Sequence, residues 1–159
     1  MKMLLMRHGI ADLSRDDFYR PLTHEGVEGV KANAEKLKAT GNIPNRIFAS
    51  PLVRAQQTAF IMAEELGLER KPESLGLISP ESDVEEFVEF LTELSGNRSV
   101  DGDQSDELFL FVSHQPFVGL FVHYLAGVEE FMDAANINCL SIKSFSKDGG
   151  ELEWKIGRG

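Results

Sequence analysis

Cysteine is almost missing from this chain. Cys139 is the only one, so an internal disulfide framework is excluded and a reducing compartment is expected. Long apolar runs are missing too. None approaches the roughly 18 residues that a membrane span needs. The apolar stretch ahead of Arg7 and His8 is too short for the core of a signal peptide. Positive charge is scarce: 16 Lys and Arg stand against 26 Asp and Glu, for a net charge of −10. Nucleic acid and anionic membranes attract basic surfaces, so neither is expected as a partner. Glycine and proline, at 14 and 6 residues, are not in excess, which removes collagen-like and low-complexity readings. No internal repeat and no long linker is visible.

What remains is a soluble, cytoplasmic globular protein. Its 159 residues predict one domain over residues 1–159, with a monomer as the expected state. Leu, Ile, Val and Phe make up about 30% of the chain, well above the roughly 20% that marks disorder. In so acidic a protein an anion site must be built locally, so clustered arginines matter.

Strand and helix signals alternate. Lys2 to Met6 reads as a short buried strand. Thr23 is placed to cap a helix to about Thr40, with Val27, Val30, Ala34 and Leu37 on one face and Gly41 as its stop. Arg46 to Ala49 is a second strand. Ser50 then predicts an N-cap with Pro51 at the first helical position. Leu52, Ala55, Ala59, Met62 and Leu66 form that helix's stripe, and Gly67 ends it. Arg70 to Glu73 is a weak third strand. Ser82 and Glu85 fit a capping box ahead of Val84, Phe87, Val88, Leu91 and Leu94. Ser95 to Asp106 reads as a surface loop. Leu108 to Val112 is a continuous apolar run, the mark of a strand covered on both faces. Pro116 opens a helix to about Ala126. Cys139 to Ser146 and Glu151 to Ile156 predict a hairpin around Lys147 to Gly150. The alternation predicts an α/β fold with a mainly parallel central sheet.

Ligands in such sheets sit beyond the carboxyl ends of the strands. Three predicted strands end in reactive groups: Arg7–His8–Gly9, Ser50–Pro51 with Arg54 one turn on, and Ser113–His114. Converging at one rim, they would bring two imidazoles and two guanidiniums together beside helix N-termini. Arginine grips phosphate oxygens bidentately and keeps its charge. A neutral histidine is a competent nucleophile at phosphorus. Gly9 allows close backbone approach. Nothing in this set calls for a metal or a cofactor.

Arg7–His8–Gly9 after an N-terminal strand resembles the signature of the histidine phosphatase superfamily, the phosphoglycerate mutase-like proteins. Ser50–Pro51–Leu52–Val53–Arg54–Ala55–Gln56–Gln57–Thr58 and Ser113–His114 strengthen the match. Arg20–Pro21–Leu22–Thr23, the short chain and Ser113–His114–Gln115–Pro116 narrow it to small phosphohistidine phosphatases of the SixA type. The resemblance runs in order from Met1 to about Leu125. It implies a three-layer α/β/α sandwich without a large cap insertion. It implies His8 as the nucleophile, Arg7 and Arg54 as phosphoryl ligands, and His114 as a further donor, in one form an imidazolium. Arg20 would extend the anionic pocket. The expected substrate is phosphohistidine on a phosphorelay protein, or else a small phosphorylated molecule.

One departure has consequences. Larger relatives supply a general acid from an insert after the second helix, and Leu66 to Val84 leaves no room for one. Glu73, Glu81 and Asp12 are candidate acids without a motif around them. A missing acid suits a phosphoramidate, whose imidazole leaves as a neutral ring once protonated.

Plainer readings stand beside these. His8 taken alone is a satisfied strand-end histidine, Arg54 a surface helix residue, and Arg20 a partner for Asp16 or Asp17. His24 and His123 read as structural. A zinc site from His8, His114 and Cys139 lacks a close ligand pair, and Cys139 reads as a small buried hydrophobe. Asp101, Asp103 and Asp106 do not fit a calcium loop, because Val112 stands where a bidentate glutamate belongs. Phe109, Phe111, Phe117 and Phe121 read as core. The competing functions are a small-molecule phosphatase and, in another class, a non-catalytic module that binds phosphate or phosphohistidine.

Overall fold

A computed structural model describes residues 1–13, 16–96 and 107–157. Six strands form one sheet in the order β3-β2-β4-β1-β5-β6. β1 (Lys2–Arg7), β2 (Arg46–Ala49), β3 (Glu73–Ser74) and β4 (Phe109–Ser113) pair in parallel. β5 (Ile137–Ile142) and β6 (Gly150–Ile156) run antiparallel beyond β1. The sheet is therefore mixed, with its parallel part around β4.

β1 and β4 are the continuous apolar runs, and they lie side by side with Leu4 opposite Leu110 and Met6 opposite Val112. Alternate residues point to opposite faces. Leu4, Met6, Ile47, Leu110 and Val112 pack with Val30, Ala34 and Leu37 of α1 (His24–Thr40) and Ala55, Ala59 and Met62 of α2 (Val53–Glu65). Met3, Leu5, Phe48, Phe109 and Phe111 pack with Phe87, Val88 and Leu91 of α3 (Val84–Gly96) and Phe117, Phe121 and Val122 of α4 (Phe117–Ala126). Both faces are covered, as the sequence pattern requires, and the result is a three-layer α/β/α sandwich. The four phenylalanines read as core are all buried. Cys139 is buried in β5 opposite Leu4.

Local signals succeed where the partner lies within one turn. Thr23 Oγ1 accepts from the Gly26 amide at 2.9 Å, and Gly41 ends α1 with φ +81°. Elsewhere tertiary contacts overrule them. Ser50 is not an N-cap: α2 starts at Val53 after Leu52, and the Ser50 hydroxyl turns to another strand end. At α3 the Glu85 amide donates to Asp83 Oδ1 at 2.9 Å, so Asp83 takes the place expected of Ser82. Ser82 instead closes the preceding loop through Ser79 and Gly76. β3 falls at Glu73–Ser74 and not over 70–73, because its register is set by Phe48 and Ala49 of β2. The hairpin exists, but β5 begins and ends earlier than expected, and the loop is 143–149. Its closure runs from the Lys143 and Ser144 amides to the Gly149 carbonyl. The expected loop over Ser95 to Asp106, with Asp101, Asp103 and Asp106, lies mostly outside the described residues; Ser95 and Gly96 belong to α3.

The carboxyl ends of three strands are locked together. The His8 amide donates to the Ser113 carbonyl at 3.0 Å, and the Ser50 amide to the Val112 carbonyl at 3.1 Å. Gly9 and Gly26 then allow α1 to lie close against this rim. A Cβ at Gly26 would sit 2.0 Å from the Ile10 carbonyl oxygen, and one at Gly9 would sit 2.8 Å from Val30 Cγ2. The close approach expected of Gly9 is thus to helix α1.

Candidate active site

His8 follows β1 and is buried. Its Nδ1 lies 2.7 Å from the Gly9 carbonyl oxygen. A carbonyl only accepts, so the proton sits on Nδ1 and the lone pair on Nε2. That lone pair faces Arg54, whose Nε donates to His8 Nε2 at 3.3 Å. Arg54 lies in the first turn of α2 and is itself buried at 4% exposure. Its Nη1 donates to the Asp17 carbonyl at 2.6 Å, and its Nη2 reaches both Asp17 carboxylate oxygens at 3.4 Å. Arg7 ends β1 and donates from Nη1 to the Met132 carbonyl at 2.9 Å. His114 follows β4, and its ring centroid lies 4.9 Å from that of His8. All four residues expected at the rim are brought together.

Arg20 stands at the edge of this group. Its Nε donates to the Asp12 carbonyl at 2.7 Å, and its Nη1 pairs with Asp17 at 3.1 Å. The plainer reading of Arg20 as a partner of Asp17 is therefore present in the structure. Its charge nonetheless acts on Arg7, His8, Arg54 and His114. Asp17 joins Arg20 to Arg54. Burial pushes its carboxyl up, but hydrogen bonds and charge from the two arginines outweigh this and leave it below the ordinary value.

Four parts of the site were not visible as such. The Gly9 amide donates to Thr58 Oγ1 at 3.1 Å, and Thr58 donates on to the Arg54 carbonyl at 2.8 Å. Thr58 therefore ties the β1 end to α2. Ser50 Oγ lies 2.6 Å from His114 Nε2. Both residues sit inside the motif that carries Arg54, which was the available signal. Asp17 had only its place near Arg20 to recommend it. The Met132 carbonyl had no signal, because a backbone acceptor leaves no trace in residue type.

Burial, first, and then the arginine charges push His8 down to about 4, against a smaller upward effect of the Gly9 bond. Burial, then His8 and the arginines, push His114 down to about 2. Both rings are neutral at pH 7, so the imidazolium form of His114 is not the resting state. The arginines are lowered by burial but remain cations. Arg7 Nε and His114 Nδ1 are buried without a hydrogen-bond partner among the described residues. Two guanidiniums, an imidazole lone pair that accepts only a long bond from one of them, and buried unpaired ring and guanidine nitrogens suit a tetrahedral oxyanion.

The depressed histidines predict a pH-dependent stability. Between about 4 and the ordinary 6.5 of His8, the unfolded chain binds more protons than the native one. Stability then rises with pH. The contribution is complete above pH 6.5 and is lost as pH falls toward 4, by on the order of 3 kcal/mol for His8. Urea midpoints measured across this range should climb with pH, and the slope should shrink in His8→Gln. An unchanged slope in that variant would show that His8 titrates normally.

The other candidates lie elsewhere or are engaged. Glu73 is held by Arg46 through two bonds of 2.9 and 3.0 Å. Glu81 is exposed in the turn before α3, and Asp12 is engaged at the edge of the site, its carbonyl accepting from Arg20 Nε at 2.7 Å. His24 and His123 are exposed on α1 and α4. No group of three His, Cys, Asp or Glu side chains that could hold a metal occurs among the described residues. Burial and Glu153 push the Cys139 thiol up to about 11, which makes it a poor metal ligand.

Comparison with known proteins agrees with this geometry. Residues 3–75 match the model of the histidine phosphatase superfamily, branch 1. Phosphohistidine phosphatase SixA of Escherichia coli strain K12 is 33% identical over 157 residues, covering 98% of this chain and 93% of that protein. A SixA homolog of Haemophilus influenzae is 33% identical over 135 residues, covering 80% of this chain and 78% of its own. The solved structure of the protein histidine phosphatase SixA complexed with tungstate superposes with a TM-score of 0.85 at 26% identity, covering 99% of this chain and 97% of that one. With its ordered strand ends and near full-length similarity, the chain belongs to the histidine phosphatase superfamily.

Proposed function

We propose that this protein is a phosphohistidine phosphatase acting on a phosphorelay-type protein, through a covalent phosphohistidine on His8. The observation that carries this is the tautomer of His8. Its Nδ1 proton is committed to the Gly9 carbonyl, which leaves Nε2 as the nucleophilic atom among the arginines. In the first step the Nε2–P bond forms as the substrate's P–N bond breaks, and the departing imidazole takes up a proton. In the second, water attacks phosphorus, the Nε2–P bond breaks and phosphate leaves. Arg7, Arg54 and His114 hold the phosphoryl oxygens, Arg20 enlarges the cationic edge, and Gly9 sets the backbone that orients His8. No cofactor and no metal enters either step.

Two features support a protein substrate over a small one. Only β3 and a short 3-10 turn at Gly76–Ile78 fill the chain between α2 and α3; Ile78 packs on the β4 end, its carbonyl accepting from Ser113 Oγ at 2.6 Å, and no inserted subdomain stands there. Apolar side chains are exposed around the rim. Phe131 lies over the Arg7 guanidinium at 5.6 Å, and Phe18 and Tyr19 follow Asp17. The SixA relatives carry phosphohistidine phosphatase in their names, and the short connection between α2 and α3, which holds no insert to supply an acid, suits an imidazole leaving group. No helix among the described residues is long and apolar enough to cross a membrane. We read the chain as one cytoplasmic domain acting as a monomer.

The test is phosphate release from a phosphohistidine-bearing protein beside a simple aryl phosphate, with and without a chelator. Fast release from the protein, unaffected by the chelator, is expected. Release from the aryl phosphate alone would move the substrate to a small molecule. Release from neither would favour a binding module.

A further inference from the structure

Ser50 is fully buried at the end of β2. Its backbone is held on both sides: the amide donates to the Val112 carbonyl, and its carbonyl accepts from Gln56 Nε2 at 2.8 Å. Its hydroxyl has two neighbours. It accepts from the Leu52 amide at 3.3 Å and lies 2.6 Å from His114 Nε2. No other hydrogen bond to this hydroxyl occurs among the described residues.

The direction of the 2.6 Å bond follows from counting donors. A hydroxyl has one hydrogen, and an amide can only donate to it. If Ser50 donates to His114 Nε2, its hydrogen and one lone pair are both used. The neutral ring then carries its proton on Nδ1, the atom without a partner. If His114 Nε2–H donates instead, the Ser50 hydrogen and the Nδ1 lone pair are both stranded in a buried site. Each stranded group is unfavourable. The first arrangement leaves one polar group unpaired and the second leaves two.

We propose that Ser50 is a positioning residue that holds His114 as its Nδ1–H tautomer. The Nε2 lone pair is consumed by the Ser50 hydroxyl, so the ring has only a donor left to offer. A phosphoryl oxygen needs a donor, and a ring free to switch tautomer would present a repelling lone pair part of the time. His8 and His114 are thereby set by the same device from different sources: a carbonyl fixes one ring and a hydroxyl the other. The consequence for turnover rests on the phosphatase reading above, whereas the tautomer does not.

The test starts with the unliganded wild-type protein, ¹⁵N-labelled in histidine, near pH 7. Long-range ¹H–¹⁵N correlations should show His114 protonated on Nδ1 and accepting at Nε2. A wild-type ring protonated on Nε2 would overturn the assignment outright. In Ser50→Ala the ring should shift toward a tautomer mixture. Tungstate affinity and kcat should each fall about 10- to 100-fold, the order seen when the partner that orients a ligating histidine is lost. Ser50→Thr keeps the hydroxyl and should restore the Nδ1–H signature and most of the rate, which a purely structural role would not require. An unchanged tautomer and unchanged tungstate affinity in Ser50→Ala would refute the role of Ser50. The nitrogen signature needs no turnover, so a wild-type protein that releases no phosphate would count against the phosphatase reading and leave this assignment to its own readout.

Discussion

Replacing His8 with alanine is expected to lower phosphate release by about four orders of magnitude or more, the scale on which loss of a covalent nucleophile acts. Tungstate should still bind. The reason lies in how the neighbours are held. Arg7 is anchored by the Met132 carbonyl and Arg54 by Asp17, neither through His8. The strand ends are tied by the residue 8 backbone amide, which alanine retains. Arg54 loses its 3.3 Å contact with Nε2 but keeps three contacts with Asp17. The clamp therefore outlives the nucleophile. Single-turnover trapping should find acid-labile phosphate on the wild type and none on the variant. Substantial release by His8→Ala would place the nucleophile elsewhere. Loss of tungstate binding together with activity would mean that the ring also builds the pocket.

Arg54→Ala is expected to be the second most damaging change, cutting kcat by roughly 10²- to 10³-fold as for a missing oxyanion donor, and weakening tungstate binding as well. Arg54 touches the nucleophile and Asp17 with one planar fork, so its loss removes a phosphoryl ligand and frees the Asp17 segment together. Asp17 would keep its pairing with Arg20. A carboxylate relieved of one of its two cations lies close to an incoming anion and repels it. Arg54→Lys should recover little, because an ammonium cannot span the same two partners. Kinetics with an aryl phosphate and calorimetry with tungstate would separate the two effects. Full activity in Arg54→Lys would show that charge alone suffices and that the fork geometry is immaterial.

The layered fold was legible because its causes are local or periodic. The unbroken apolar runs of β1 and β4 announced strands covered on both faces, and both became interior strands. Thr23 and Gly41 marked α1 because a cap and a left-handed stop act within one turn. Pro116 marked the start of α4 for the same reason. Signals of equal local quality failed at Ser50 and Ser82. A hydroxyl goes to whichever partner the assembled fold offers at the better geometry, and for Ser50 that partner was on another strand end.

The sequence by itself determined the elements, the covered sheet and the chemical types at the rim: two arginines, two histidines and a glycine. Those follow from side-chain periodicity and residue chemistry. Only the tertiary structure decided how these groups face one another. The contacts that do so join residues 46 positions apart for Arg54 and His8, 64 for Ser50 and His114, and 125 for Arg7 and the Met132 carbonyl. At such separations no propensity links one partner to the other. Their meeting, and with it the tautomer and neutrality of each ring, is a property of strand order and burial, which exist only once the sheet has assembled.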